Sequence, residues 1–158
     1  MKKAKILAVA ICLFLAFSAL GLSEAASGKL NSLAIVEVKA SSAENEDLAA
    51  GKAIDGDLGS RWASEYGEGA QWLMIDLSSS REINTVVIAW ELAAALAYKV
   101  QTSSDGSNWN DAVEIYDGEA GIEVVALSGV TARYIRVYCL ERTSEYGYSI
   151  LEIAAYGN

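Results

Sequence analysis

After residue 30 the apolar positions recur every second residue: Ala34, Val36 and Val38; the runs 72–77 and 83–90; Tyr98, Val100 and Thr102; Ile135 and Val137 between Tyr134, Arg136 and Tyr138. A period of two sends alternate side chains to opposite faces of an extended strand, so the chain is committed to half-buried strands rather than amphipathic helices. Gly56, Gly59, Gly67, Gly69, Asp105-Gly106, Asp117-Gly118, Gly121 and Gly129 punctuate these runs. Short strands broken at such intervals predict an all-β antiparallel sandwich. The chain has no proline, so glycine, asparagine and aspartate must make the turns. Residues 91–97 are alanine-rich but short and lie between strand patterns, and read as a loop or a single turn; residues 44–53 read as another short turn.

Residues 1–26 stand apart from this pattern. Lys2, Lys3 and Lys5 open them, an apolar run covers 6–20, and Ala25 and Ala26 close them. That is the layout of a signal peptide, and the expected location is secreted or periplasmic. The run is too short for a membrane span, and no later stretch approaches the roughly 20 apolar residues a spanning helix needs. Cys12 lies early in the run with Ile11 before it, a poor setting for lipid attachment. Residues 27–158 then suffice for one hydrophobic core and one domain. Cys139 is the only cysteine left in that span, so no internal disulfide forms there and packing or a metal must hold the fold. The alternating run 133–140 predicts that Cys139 is a small buried strand residue.

Charge and composition exclude several functions. The chain carries −9, and a leader with three lysines and one glutamate leaves the remainder more acidic still. Nucleic acid and anionic membranes call for a basic footprint that is absent, so neither nucleic acid nor membrane insertion is expected, whereas a neutral or cationic polymer suits the charge. With no histidine, a zinc site and a serine triad are disfavoured. Glu44 and Glu91 raise the question of a glycosidase pair. A sandwich this small has little volume to enclose a distorted sugar, so the expectation is a binding protein, not an enzyme.

Residues 53–61 pack Asp55, Asp57, Ser60, Gly56 and Gly59 into nine positions. Calcium takes oxygen ligands at about 2.3–2.6 Å from carboxylates and from carbonyls that a tightly curled chain aims inward. An ordinary Asp-Gly turn accounts for the same residues, and both readings stand. The acidic twelfth position of an EF-hand is missing.

Four motifs occur in order: Asp55-Gly56-Asp57 with Arg61-Trp62, then Gln71-Trp72-Leu73-Met74-Ile75-Asp76-Leu77, then Ser104-Asp105-Gly106-Ser107-Asn108-Trp109, then Ala132-Arg133-Tyr134-Ile135-Arg136-Val137. Together they resemble a discoidin domain, also called the coagulation factor type C domain, from about Leu33 to Gly157. Trp90-Glu91, Tyr98-Lys99-Val100-Gln101 and the stretch 146–152 are similar to family 32 carbohydrate-binding modules, especially those for chitosan oligosaccharides or β-glucans. The resemblance implies a jelly-roll, galactose-binding-domain-like sandwich with calcium near one end and a sugar site among nearby loops. It assigns the metal to Asp55, Asp57 and Ser60, the Lys52 carbonyl, and Glu152 or its neighbours. Calcium shared with Glu152 would staple an early loop to the last strand. The resemblance assigns the ligand to Glu44, Arg61, Tyr66, Glu91, Tyr146 and Tyr148.

A sugar offers an apolar C–H face and a rim of hydroxyls, which suit an aromatic ring beneath and charged hydrogen-bonding groups around it. Tyr66 with Tyr146 or Tyr148 meets the first need. The glutamates meet hydroxyls or a glucosamine ammonium, and Arg61 donates to ring oxygens; solvated loop glutamates and an Arg61 brace beside Trp62 are the plainer readings. Trp62, Trp72 and Trp109 read as core or loop-anchoring residues. Residues 92–97, Leu-Ala-Ala-Ala-Leu-Ala, stand where relatives often place a tyrosine, and the missing histidine lowers a galactose preference. The expected partners are an oligosaccharide or polysaccharide, and a secreted glycan-active enzyme or cell-surface protein. A protein-binding or adhesion domain of the same fold is the rival reading. Acidic loops around Glu65, Glu68 and Glu145 count against anionic lipid.

Overall fold

The computed structural model describes residues 31–158 apart from 68. The signal peptide assigned to 1–26 lies outside the described residues. Eight strands run β1 Asn31–Ser32, β2 Glu37–Ala40, β3 Trp62–Ala63, β4 Gln71–Trp90, β5 Ala95–Ser103, β6 Asn110–Ile115, β7 Gly121–Arg142 and β8 Ser149–Gly157. Their pairings are antiparallel, in the order β1-β8-β4-β7-β5-β6, with β2 added to β4 and β3 to β8. This is the antiparallel sandwich that the alternation predicts, in the jelly-roll form that the resemblance implies.

Strands β4 and β7 pair along nearly their whole lengths and pass through both layers. The first half of β4 lies between β2 and the end of β7, and its second half lies between β8 and the start of β7. Register shifts between Asp76 and Arg81 and between Ile83 and Thr85 carry β4 from one layer to the other. The sequence patterns 72–77 and 83–90 are therefore one bent strand. A bulge changes which face a residue's parity selects. Leu73, Ile75 and Leu77 point into the core before the shifts, and Val86, Ile88 and Trp90 point into it after them. The bend is braced by Asp76, a buried carboxylate that accepts from Arg133 Nε and Nη2 at 2.8 Å each and from the Ser78 amide at 2.7 Å. The guanidinium holds the Asp76 carboxyl below its usual range.

Between the layers lie Trp62, Leu73, Ile75, Ile88, Trp90, Tyr98, Ile135 and Ile150, each 2 % exposed or less. Each such side chain contributes about 1.5–3 kcal/mol by leaving water. Cys139 is fully buried among them, and burial pushes its thiol pKa up. Trp62 is core as expected. Trp72 and Trp109 instead stand half-exposed on the outer face, where the Arg136 guanidinium lies 5.9 and 4.1 Å from their ring centroids and 5.0 Å from that of Tyr138. They are anchored by cation–π contact rather than by the core. Residues 91–97 also differ from the expected loop: 91–94 bend, and 95–97 already belong to β5. Residues 44–53 do hold short 3-10 turns, Glu46–Leu48 and the start of Ala50–Ile54.

Candidate functional site

The start of β3, the end of β4, the end of β7 and the start of β8 meet at one end of the sandwich, where Trp90 and Trp62 both pair with Ile150. The loops they carry enclose an open cleft of about 340 Å³. Glu44, Arg61, Tyr66, Glu91, Tyr146 and Tyr148 all line it.

Backbone hydrogen bonds hold each of these loops in place. The Glu44 amide donates to the Ala63 carbonyl at 2.9 Å, and Trp62 Nε1 donates to the Ser42 carbonyl at 2.9 Å, which fixes the 42–44 segment beside β3. The Ser64 amide donates to the Tyr148 carbonyl at 2.8 Å, while the Tyr148 amide donates to Ser64 Oγ at 2.9 Å. Gly147 is required here: a Cβ would stand 2.5 Å from the Ser64 carbonyl oxygen. On the opposite strand end, Glu91 donates its amide to the Ser149 carbonyl and Ser149 donates its own to Ala93. The Glu91 carboxylate accepts from the Ala93 amide through Oε2 at 3.1 Å, so one oxygen braces its own loop and the other is left for a ligand. Trp90, just before it, is anchored in the core by donating Nε1 to Glu123 at 2.7 Å; Tyr98 donates its hydroxyl to the same oxygen.

Tyr66 and Tyr146 are each 56 % exposed, and their rings lie 6.2 Å apart with an interplanar angle of 59°. Of the two tyrosines considered as partner for Tyr66, only Tyr146 presents a ring to solvent. Tyr148 is 1 % exposed, lies 5.3 Å from the Arg142 guanidinium, and has its phenol pushed up to about 12 by burial. It forms the floor of the cleft, not a stacking surface. Arg142 also donates to the Gly67 carbonyl, which ties the end of β7 to the Tyr66 loop. Among the described residues, the side chains of Glu44 and Arg61 make no hydrogen bond or ion pair. Both stay available to a ligand.

The 52–60 loop lies against β8. Asp55 Oδ1 accepts from the Asp57 amide at 2.9 Å and Oδ2 from Ser60 Oγ at 2.7 Å; Asp57 Oδ1 accepts from the Gly59 amide at 2.9 Å. Lys52 Nζ stands 3.8 Å from Asp55 Oδ2. Glu152 reaches across from β8 and accepts from the Gly56 amide at 2.6 Å. Burial first, and then the neighbouring charges of Asp55 and Asp57, push Glu152 up to about 7. Among the described residues, no three of Asp, Glu, Cys and His gather closely enough to hold an ion by themselves. An ion in this loop would complete its shell with carbonyls, and an all-oxygen donor set of this kind suits calcium.

Residues 37–153 match the model of the F5/8 type C domain. The chain belongs to that family. As an F5/8 type C domain it is similar to chitosan-binding module 1 of a chitosanase/glucanase from Paenibacillus sp. IK-5, with 37 % identity, 80 % of this chain and 99 % of that one covered, and a TM-score of 0.77. Chitosan-binding module 2 of the same enzyme, solved with chitotriose, shares 36 % identity over 77 % of this chain and 95 % of that one, with a TM-score of 0.74. The family 32 module of AlyQ, solved with 4,5-unsaturated mannuronic acid, shares 26 % identity over 79 % and 97 %, with a TM-score of 0.67. The described F5/8 type C domain thus has the fold of non-catalytic carbohydrate-binding modules, and among its described residues no helix is long and apolar enough to cross a membrane.

Sequence reasoning missed several parts of this domain's cleft. Ser144, Ser64, Leu92 and Ala93 also line it. Nothing in a one-residue pattern marks Leu92 as outward, since an aliphatic residue in an apolar run reads as core. Its 80 % exposure comes from the clipping of its loop at both ends.

Proposed function

We propose that this domain binds a β-linked oligosaccharide in the cleft, chitosan fragments above β-glucans. The observation that carries the reading is the convergence of two exposed tyrosine rings, two carboxylates and one guanidinium from separate loops onto one open cleft. Tyr66 and Tyr146 receive the C–H face of a ring, Arg61 donates to ring or hydroxyl oxygens, and Glu44 with the outer oxygen of Glu91 accepts from hydroxyls or pairs with an ammonium. The similarity to modules named for chitosan supports the amino sugar. Calcium in the 52–60 loop, held by Asp55, Asp57, Ser60, the Lys52 carbonyl and Glu152, would fix the early loop to β8 as a structural ion and take no part in chemistry. Secretion or export to the periplasm, directed by residues 1–26, suits a domain that meets polysaccharide.

Titration calorimetry with equal-length oligomers of glucosamine, N-acetylglucosamine and β-1,3-linked glucose tests the reading. Binding of the glucosamine oligomer above the glucan is expected, with the difference shrinking as salt rises, because exposed charge pairs are screened over about 8 Å at physiological ionic strength. Absence of binding to every β-glycan by folded, calcium-loaded protein would overturn it in favour of a protein-adhesion role.

A further inference from the structure

Leu92 has no task in the reading above. It is 80 % exposed, more than any other large apolar side chain among the described residues, and it lines the cleft directly beside Glu91. Its exposure is imposed by the backbone. The Glu91 amide is held by Ser149 at 3.0 Å, the Ala93 carbonyl accepts from the Ser149 amide at 2.9 Å, and the Ala94 carbonyl accepts from the Thr143 amide at 3.1 Å and from Thr143 Oγ1 at 3.0 Å. With its neighbours on both sides pinned, Leu92 cannot fold back onto the core. It presents an aliphatic branch on a backbone held in place, with buried Ala93 behind it, at the rim of the cleft beside the carboxylate of Glu91.

With the C–H face of a ring taken by Tyr66 and Tyr146, the hydroxyl and amine rim of a sugar gives this branch no apolar partner. Ring stacking does not use it either, because a branched aliphatic group lacks the flat face that Tyr66 and Tyr146 provide. The small apolar branch carried by common amino sugars is the methyl of an acetamido group. A volume of about 340 Å³ lies at the lower end of the range for small-molecule sites, which leaves room for a short oligomer. We propose that the preferred ligand is a partly N-acetylated glucosamine oligomer: a free amine meets Glu44 and Glu91, and the acetamido methyl of an adjoining ring packs on Leu92. This rests on the oligosaccharide reading and narrows it to a mixed polymer.

The test measures affinity for four disaccharides of β-1,4-linked glucosamine: fully deacetylated, fully acetylated, and the two singly acetylated isomers. One mixed isomer is expected to bind about four-fold tighter than the deacetylated form, the factor for removing about one methyl from water. Leu92→Ser should collapse that ratio to near one, whatever happens to the absolute affinities. Intermolecular proton contacts between the acetyl methyl and the Leu92 methyls should appear in the wild type. Mixed isomers no tighter than the deacetylated form, or an unchanged ratio in Leu92→Ser, would overturn the proposal while leaving the oligosaccharide reading intact. Failure of all four sugars to bind would remove that underlying reading as well.

Discussion

Glu91 shows how one side chain is shared between scaffold and site. Its Oε2 braces the Ala93 amide, so a test of its charge must keep an acceptor there. Glu91→Gln does so, and is expected to cut the preference for a glucosamine oligomer over a neutral one by a factor of about 5, the equivalent of one partly exposed ion pair of about 1 kcal/mol. Titration calorimetry on both oligomers reads that ratio; equal losses for both would make Glu91 a hydroxyl acceptor instead. Tyr66→Ala should weaken every β-glycan alike, because the stacking face is blind to the substituent at C2. At the bend of β4, Asp76→Asn keeps an acceptor for the Ser78 amide but loses the charge facing Arg133. Arg133 stays partly exposed, with 39 % of its side chain accessible, so no buried cation is stranded and the expected cost is about 1–2 kcal/mol. The sign with pH follows from the lowered Asp76 pKa. A carboxyl held below its ordinary value stabilises the fold above the ordinary carboxylate range, and that contribution is lost as pH falls through the folded-state value. Urea unfolding at pH 7 and below about pH 4 should therefore show the wild type losing more stability on acidification than the variant.

Among the elements, the close approach of the loop preceding β8 to the loop after β3 governs the cleft. Gly147 lies where a Cβ would come within 2.5 Å of the Ser64 carbonyl oxygen and 2.8 Å of Ser64 Oγ. Both obstacles belong to a residue already hydrogen-bonded to Tyr148, so they cannot swing away cheaply. Gly147→Ala is expected to destabilise by about 1–3 kcal/mol and to part Tyr66 from Tyr146, weakening sugar binding beyond what the stability loss explains. Thermal unfolding and calorimetry on the same sample separate the two effects. Stability lost with affinity unchanged would show that the tyrosine pair does not depend on this contact.

At the scale of the molecule, the described span carries one cysteine, so its cohesion rests on the core and on whatever ties the 52–60 loop to β8. The Gly56 to Glu152 hydrogen bond already spans 96 residues of chain. Calcium at this junction would bind the folded state alone and raise the melting temperature by several degrees at concentrations well above its dissociation constant. Scanning calorimetry with calcium and with chelator measures this, and Asp55→Asn should abolish the difference; equal melting temperatures after verified metal removal would refute calcium. Cys139 reports on the core itself. Fully buried and with its thiol pKa raised, it should react slowly with a thiol reagent in the native protein and completely once denatured.

Alternation along the chain determined that this protein is made of antiparallel strands, because period-two burial has one local solution. Ordered motifs around Asp55, Trp72, Asp105 and Arg133 placed it among discoidin-type domains, and the six ligand candidates do line one cleft. Alternation also states which residues share a face without stating which face is inward. Trp72 and Trp90 have the same parity in one strand, yet Trp72 faces out and Trp90 is core, since two register shifts lie between them. Tyr146 and Tyr148 likewise have the same parity, and one is exposed while the other is floor, because Gly147 lies against Ser64 and Ser64 ties down Tyr148. The exposure of Leu92 depends on hydrogen bonds to Thr143 and Ser149, some fifty residues further on. Local pattern determined the elements, whereas bulges and contacts between distant loops decided which side chains reach solvent at the site, because those energies arise only once remote segments are brought together.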